Sequence, residues 1–271
     1  MMPELLNPAS LSFINGSVTV FWLVCALSVF TVSITKSGFG GSMGALSAPI
    51  LLTVLPPNIA LAVLLPLYLI ADVWTVFIWR GYSVWRLLGW MCLFAIIGQI
   101  LGWLLISYID DEILKLFIGI IALITGVRFY LQKAQIQLIK IKKTHHKQIR
   151  DRFKLRAGIW CSLSGFSSFV SLTGGIPVQV FMLPMKIQRF FVVGTLAWYF
   201  LIINVAKVPF FLDLNWFTAE TLFTSLCLVP VVPFGVWTGR WLNRNMSDTV
   251  FYHLAHITLI ILGLRLVITS L

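Results

Sequence analysis

Three ionisable side chains stand inside long apolar runs of this sequence: Lys36, Asp72 and Lys207. A charge in such surroundings needs a partner, a proton or a route to water, so these groups are the first candidates for function. Asp72 follows Asn58 by 14 residues, or about 21 Å along a helix, which puts it within a hydrocarbon layer. It requires a cation or a proton, and is the candidate proton-coupling group. Lys36 opens the stretch Lys36-Ser-Gly38-Phe-Gly40-Gly41-Ser42-Met-Gly44, followed by Pro49. Four glycines within seven residues expose backbone amides and permit a break between helices, tolerated in a bilayer only where protein or a water-filled cavity surrounds it. A helix starting after such a break turns its positive end inward, where it attracts anions. Close packing by small residues is the competing reading.

The same punctuation recurs at Gly165 and at Gly174-Gly175-Ile176-Pro177, with Gln179 close behind. Gly/Pro-interrupted segments in matched positions of two halves are the sequence pointer to a transporter's binding site. Gln179 and Asn204 each donate and accept hydrogen bonds on apolar segments, as ligands or as links between helices. Lys207 stands beside Pro209 near the outer end of its segment, where snorkelling is the alternative to binding. The chemistry of this set is the binding and release of a small anion. No covalent step is indicated: Cys25, Cys92, Cys161 and Cys227 each stand alone, and His253 and His256 have no neighbouring carboxylate or thiol. Neither a catalytic residue, a metal nor a cofactor is expected.

These residues are carried by a chain of 271 residues that is 59% hydrophobic and 11% charged. Soluble domains carry about 25% charged residues, so this composition excludes a soluble enzyme. Ten helices of roughly 20 residues would use about 200 residues and leave no room for a soluble domain. The uncharged runs divide accordingly. Val18 to Thr35 is one span, and Ser37 to Ala71 splits at Pro56-Pro57 into a short helix and a full one from Asn58 to Trp79. Trp85 to Ile106 and Ile113 to Leu131 complete a first set of five. Ala157 to Met185 is interrupted at its glycines, and Phe190 to Phe211, Phe217 to Leu242 and Ser247 to Ile268 complete a second.

Between the sets, residues 132–156 hold nine basic side chains against Asp151, the signature of a cytoplasmic loop rather than of nucleic-acid binding. The domains are therefore a first transmembrane repeat at 1–131, a basic linker at 132–156 and a second repeat at 157–271. The halves align in places. Pro49 and Pro56 lie 128 residues from Pro177 and Pro184, and Gly98, Gly102, Asp111 and Arg128 lie 137 from Gly235, Gly239, Asp248 and Arg265. An odd number of spans per repeat inverts the second copy. The expected fold is thus an all-α polytopic membrane protein of about ten segments in two inverted five-helix repeats, with broken or re-entrant helices. Loop charge agrees: Lys36, Arg80, Arg86, Lys186, Arg189, Arg240 and Arg244 fall inside, while Asp110, Asp111, Glu112, Asp213 and Glu220 fall outside with Lys115 and Lys207 as exceptions. Both termini are then outside. No cleaved signal peptide is evident, since Glu4 is the only charge before Lys36.

In Lys36-Ser-Gly-Phe-Gly-Gly through Ala48-Pro49, Leu65-Pro66 with Asp72, Gly165-Phe-Ser-Ser-Phe to Gly174-Gly-Ile-Pro-Val-Gln179, and Asn204-Val-Ala-Lys207, the chain resembles the sulfite exporter TauE/SafE permeases over nearly its whole length. It departs from them at Ser42, where relatives often have a further glycine, and at Leu172, where many have histidine. The resemblance implies a bacterial inner-membrane carrier for small anions such as sulfite and organosulfonates, often with proton coupling. The substrate-binding candidates are Lys36, Gly38, Gly40, Gly41, Ser42, Gly174, Gly175, Gln179, Asn204 and Lys207. The partners are a small anion, the bilayer and protons. A permease for another anion such as a carboxylate, or a non-transporting membrane subunit, is the alternative.

Overall fold

The computed structural model describes residues 17–41, 50–51, 54–105, 153–170 and 174–268, with isolated positions between 116 and 131. Ser42, Pro49, Leu172, residues 106–112 and most of the basic linker lie outside the described residues.

The described residues fold as helices. The first, α1, spans Val18–Phe39 and ends where Gly40 and Gly41 turn left-handed at φ 64° and 80°. There the Gly41 amide donates to the Thr35 carbonyl at 2.9 Å, closing the helix end. Pro57 at the first helical position opens α2, Pro57–Trp79. Trp85–Leu105 is α3 and Phe153–Val170 is α4. Gly174 lies in a turn before α5 (Gly175–Met182), which with a following 3-10 turn (Leu183–Met185) forms a short unit. Arg189–Asp213 is α6, Ala219–Leu228 is α7, Val231–Asn245 is α8 and Asp248–Ile268 is α9.

Four of these, α1, α2, α3 and α6, are long and apolar enough to cross a membrane, and the α7–α8 pair makes a fifth if it is one bent span. Two boundaries differ from the sequence reading. The run from Phe217 to Leu242, expected as one helix, bends by 47° between α7 and α8, because Pro230 and Pro233 remove amide donors within one turn. The last residues of the basic linker, 153–156, already belong to α4; there Lys154 lies 5.0 Å from the Trp90 ring centroid, a cation–π contact.

Polarity is turned inside out relative to a water-soluble bundle. Leu23, Phe77, Phe234, Trp237 and Trp241 are exposed, whereas Ser28, Ser33, Thr75, Gln99, Ser164 and Asn243 are buried. Apolar side chains outward and polar ones inward are what a hydrocarbon solvent selects.

The most extensive helix contacts are α3 with α4 and α1 with α8, each uniting a helix from either side of the linker. Matched glycines make both approaches possible. A Cβ added at Gly98 would lie 1.9 Å from the Ser162 carbonyl oxygen, and one at Gly239 would lie 2.3 Å from that of Ile34. Gly165 meets the Ala95 carbonyl in the same way, and a Cβ at Gly235 would lie 2.5 Å from the Ser33 Cβ. Both Gly-xxx-Gly pairs are packing surfaces. Gly38 belongs with them, since its Cβ would sit 3.0 Å from the Gly239 carbonyl oxygen.

Candidate functional site

Ending α1 inside the protein leaves carbonyls without partners in their own helix, and each must be satisfied. Three different helices do this. Trp79 Nε1 of α2 donates to the Ser37 carbonyl at 3.0 Å, Asn243 Nδ2 of α8 to that of Gly38 at 2.6 Å, and Gln179 Nε2 of α5 to that of Phe39 at 2.8 Å. The negative end of α1 is thereby covered, and Lys36 lies in its last turn.

Lys36 is not a loop charge: it is 5% exposed, and its Nζ donates to Asp72 Oδ1 at 2.5 Å. The ammonium also lies 4.5 Å from the Tyr68 ring centroid and 5.4 Å from that of Phe200, so aromatic faces replace part of its lost hydration. The second Asp72 oxygen accepts from Asn204 Nδ2 at 2.6 Å. Asn204 Oδ1 in turn accepts from Lys207 Nζ at 2.9 Å, and Lys207 donates also to Ser168 Oγ at 2.8 Å. Lys207 is fully buried, so the snorkelling alternative does not describe it. Asn204 and Lys207 are three residues apart on α6 and therefore share a face. Side chains from α1, α2, α4 and α6 thus form one continuous polar chain.

Beside this chain is a cavity of about 20 Å³ lined by Lys36, Gly41, Tyr68, Ser168, Gly175 and Asn204, with Val32 and Phe200. Lys207 lies behind the wall, bonded to two of its residues. Both chain breaks reach the cavity, one through Gly41 and the other through Gly175. At the start of α5 the amides of Gly175 and Ile176 have no carbonyl within their own helix, and Pro177 has no amide to offer. The neighbouring glycines face protein instead. A Cβ at Gly40 would overlap Leu196 Cδ1 at 2.6 Å, and one at Gly174 would lie 2.3 Å from the Ser168 Cβ. Ser164 Oγ holds the Gly174 carbonyl at 2.6 Å and itself accepts from the Tyr199 hydroxyl at 2.8 Å.

Of the residues singled out in the sequence, Lys36, Gly41, Gly175 and Asn204 line the cavity, and Asp72 and Lys207 stand behind it, bonded to lining residues. Gly38, Gly40, Gly174 and Gln179 frame the two breaks, and Ser42 lies outside the described residues. Sequence reasoning passed over Ser164, Ser168 and the carbonyl-capping pair Trp79 and Asn243. The Ser167-Ser168 step before the second glycine break was the available signal.

The family model for the sulfite exporter TauE/SafE matches residues 25–266, which takes in every residue of this site. The chain belongs to the TauE/SafE family. No curated protein and no solved structure matches it. TauE/SafE is a family of membrane transporters, and this member is a multi-pass membrane protein that buries Lys36, Asp72 and Lys207.

Proposed function

We propose that this TauE/SafE chain is a secondary transporter that exports a small sulfur-containing anion, sulfite or an organosulfonate, across a bacterial inner membrane. The observation that carries this reading is one polar chain that joins two buried lysines and a carboxylate beside a cavity that both chain breaks reach. Lys36, Gly41, Gly175, Ser168 and Asn204 are the residues assigned to the anion, with Lys207 supplying charge from behind the wall. Gly38, Gly40, Ser42, Gly174 and Gln179 are assigned to holding the breaks. Asp72 is assigned the coupled proton, because it competes with the anion for Lys36. A cavity of about 20 Å³ holds roughly one water, so an oxyanion enters only when the cavity widens. Flux of radiolabelled sulfite from proteoliposomes tests the function. Sulfite-specific efflux is expected; efflux of carboxylates alone would move the substrate class, and no efflux of any anion would favour a non-transporting subunit.

The exchange of helix partners, α1 with α8 and α3 with α4 through matched glycines, supports two inverted repeats, 1–131 and 157–271, joined by a cytoplasmic linker. Both termini are then outside. On a Cys-free background, Lys140→Cys and Ile187→Cys should resist an impermeant external thiol reagent while Asp111→Cys and Leu214→Cys react. Labelling of position 140 from outside intact cells would reverse the orientation.

A further inference from the structure

We infer that the site accepts one net negative charge at a time, so that its ligand is a singly charged oxyanion head group and a dianion of the same shape is rejected. The inference rests on the anion-site reading above and narrows its substrate class. Among the described residues, the ionisable groups in the polar chain are Lys36, Lys207 and Asp72, in their ordinary ionised forms two ammoniums and one carboxylate. The remaining lining residues, Val32, Gly41, Tyr68, Ser168, Gly175, Phe200 and Asn204, carry no formal charge at neutral pH. Two cations and one anion leave a single positive charge.

Geometry locates that surplus. Asp72 Oδ1 is committed to Lys36 at 2.5 Å. Lys207, with no exposed surface, donates among the described residues to the neutral oxygens of Ser168 and Asn204. An ammonium has three donors and two are used. Asn204 ties the two cations into one unit, since its amide nitrogen faces Asp72 while its oxygen faces Lys207. Uncompensated charge in a low-dielectric interior is strongly disfavoured. A monoanion brings this unit to neutrality, whereas a dianion carries it to a net charge of minus one with no further cation among the cavity-lining residues.

Methanesulfonate and sulfate share a tetrahedral sulfur head and differ in charge, so they isolate this effect. Titration calorimetry of the purified full-length protein at pH 6 and constant ionic strength should give at least tenfold tighter binding of methanesulfonate. Asp72→Asn removes the negative charge with little change of shape, and should move the ratio at least tenfold towards sulfate. Wild-type protein that binds sulfate as tightly as methanesulfonate, or a folded Asp72→Asn variant with an unchanged ratio, would overturn the charge rule alone. Should that variant not fold, Lys207→Gln carries the test: with the surplus charge gone, methanesulfonate binding should fall at least tenfold, and retained binding would overturn the rule. Wild-type protein that binds neither anion would remove the anion-site reading and this inference with it.

Discussion

Lys36→Met is expected to cost the folded protein about 3–5 kcal/mol, because it leaves the Asp72 carboxylate buried without its cation. Asp72 is 1% exposed, and its remaining hydrogen bond comes from the neutral amide of Asn204. Removing both charges is a different matter, since a buried ion pair replaced as a unit is often nearly neutral for stability. The double variant Lys36→Met/Asp72→Asn should therefore regain most of the lost stability while losing anion binding. Thermal unfolding of the purified variants in detergent, read beside binding, checks both halves. A single variant as stable as wild type would mean that the pair is not the fixed feature described here, and a double variant that still binds would remove Lys36 from the site.

Gly41→Val should abolish transport while the protein still inserts. Gly41 has φ 80°, and its Cβ would lie 2.8 Å from Phe200 Cε2 at the edge of the cavity. Left-handed backbone costs a branched residue about 1–3 kcal/mol, so strain must be separated from obstruction. Gly81 supplies the control: its φ is 91° and a Cβ there would meet nothing within 4 Å. Gly81→Val carries a comparable backbone penalty with no bearing on the cavity, and should retain flux. Equal loss in both variants would attribute the effect to strain alone.

Lys36, Asp72, Asn204 and Lys207 were legible in the sequence because a polar or charged group in an apolar run is costly wherever it is placed, and cost implies a partner. Which partner it takes is decided by helix packing across long separations, as when Asn204 reaches Asp72 from 132 positions away. Serines such as Ser164 and Ser168 gave little sign, because small hydroxyls also serve ordinary helix packing. Gln179 reads in the sequence as a ligand or as a link between helices, and its amide donates to the Phe39 carbonyl of α1. Helix ends buried in protein make this demand, and the chain alone does not say which side chain will meet it. The α7–α8 bend was masked by the unbroken apolar run around it, although Pro230 and Pro233 mark the place.

The central claim, that a buried surplus of positive charge at the meeting of the two breaks binds a sulfur anion, is tested most directly at pH 6, where sulfite is mainly the monoanion hydrogen sulfite, by titrating it into wild-type protein and Lys207→Gln. Among the described residues Lys207 bonds to neutral side chains, so its removal leaves the Lys36–Asp72 pair intact. The expected result is saturable binding to wild type and at least tenfold weaker binding to a folded Lys207→Gln variant, with Lys207→Arg intermediate. Equal sulfite affinity in wild type and Lys207→Gln would contradict it.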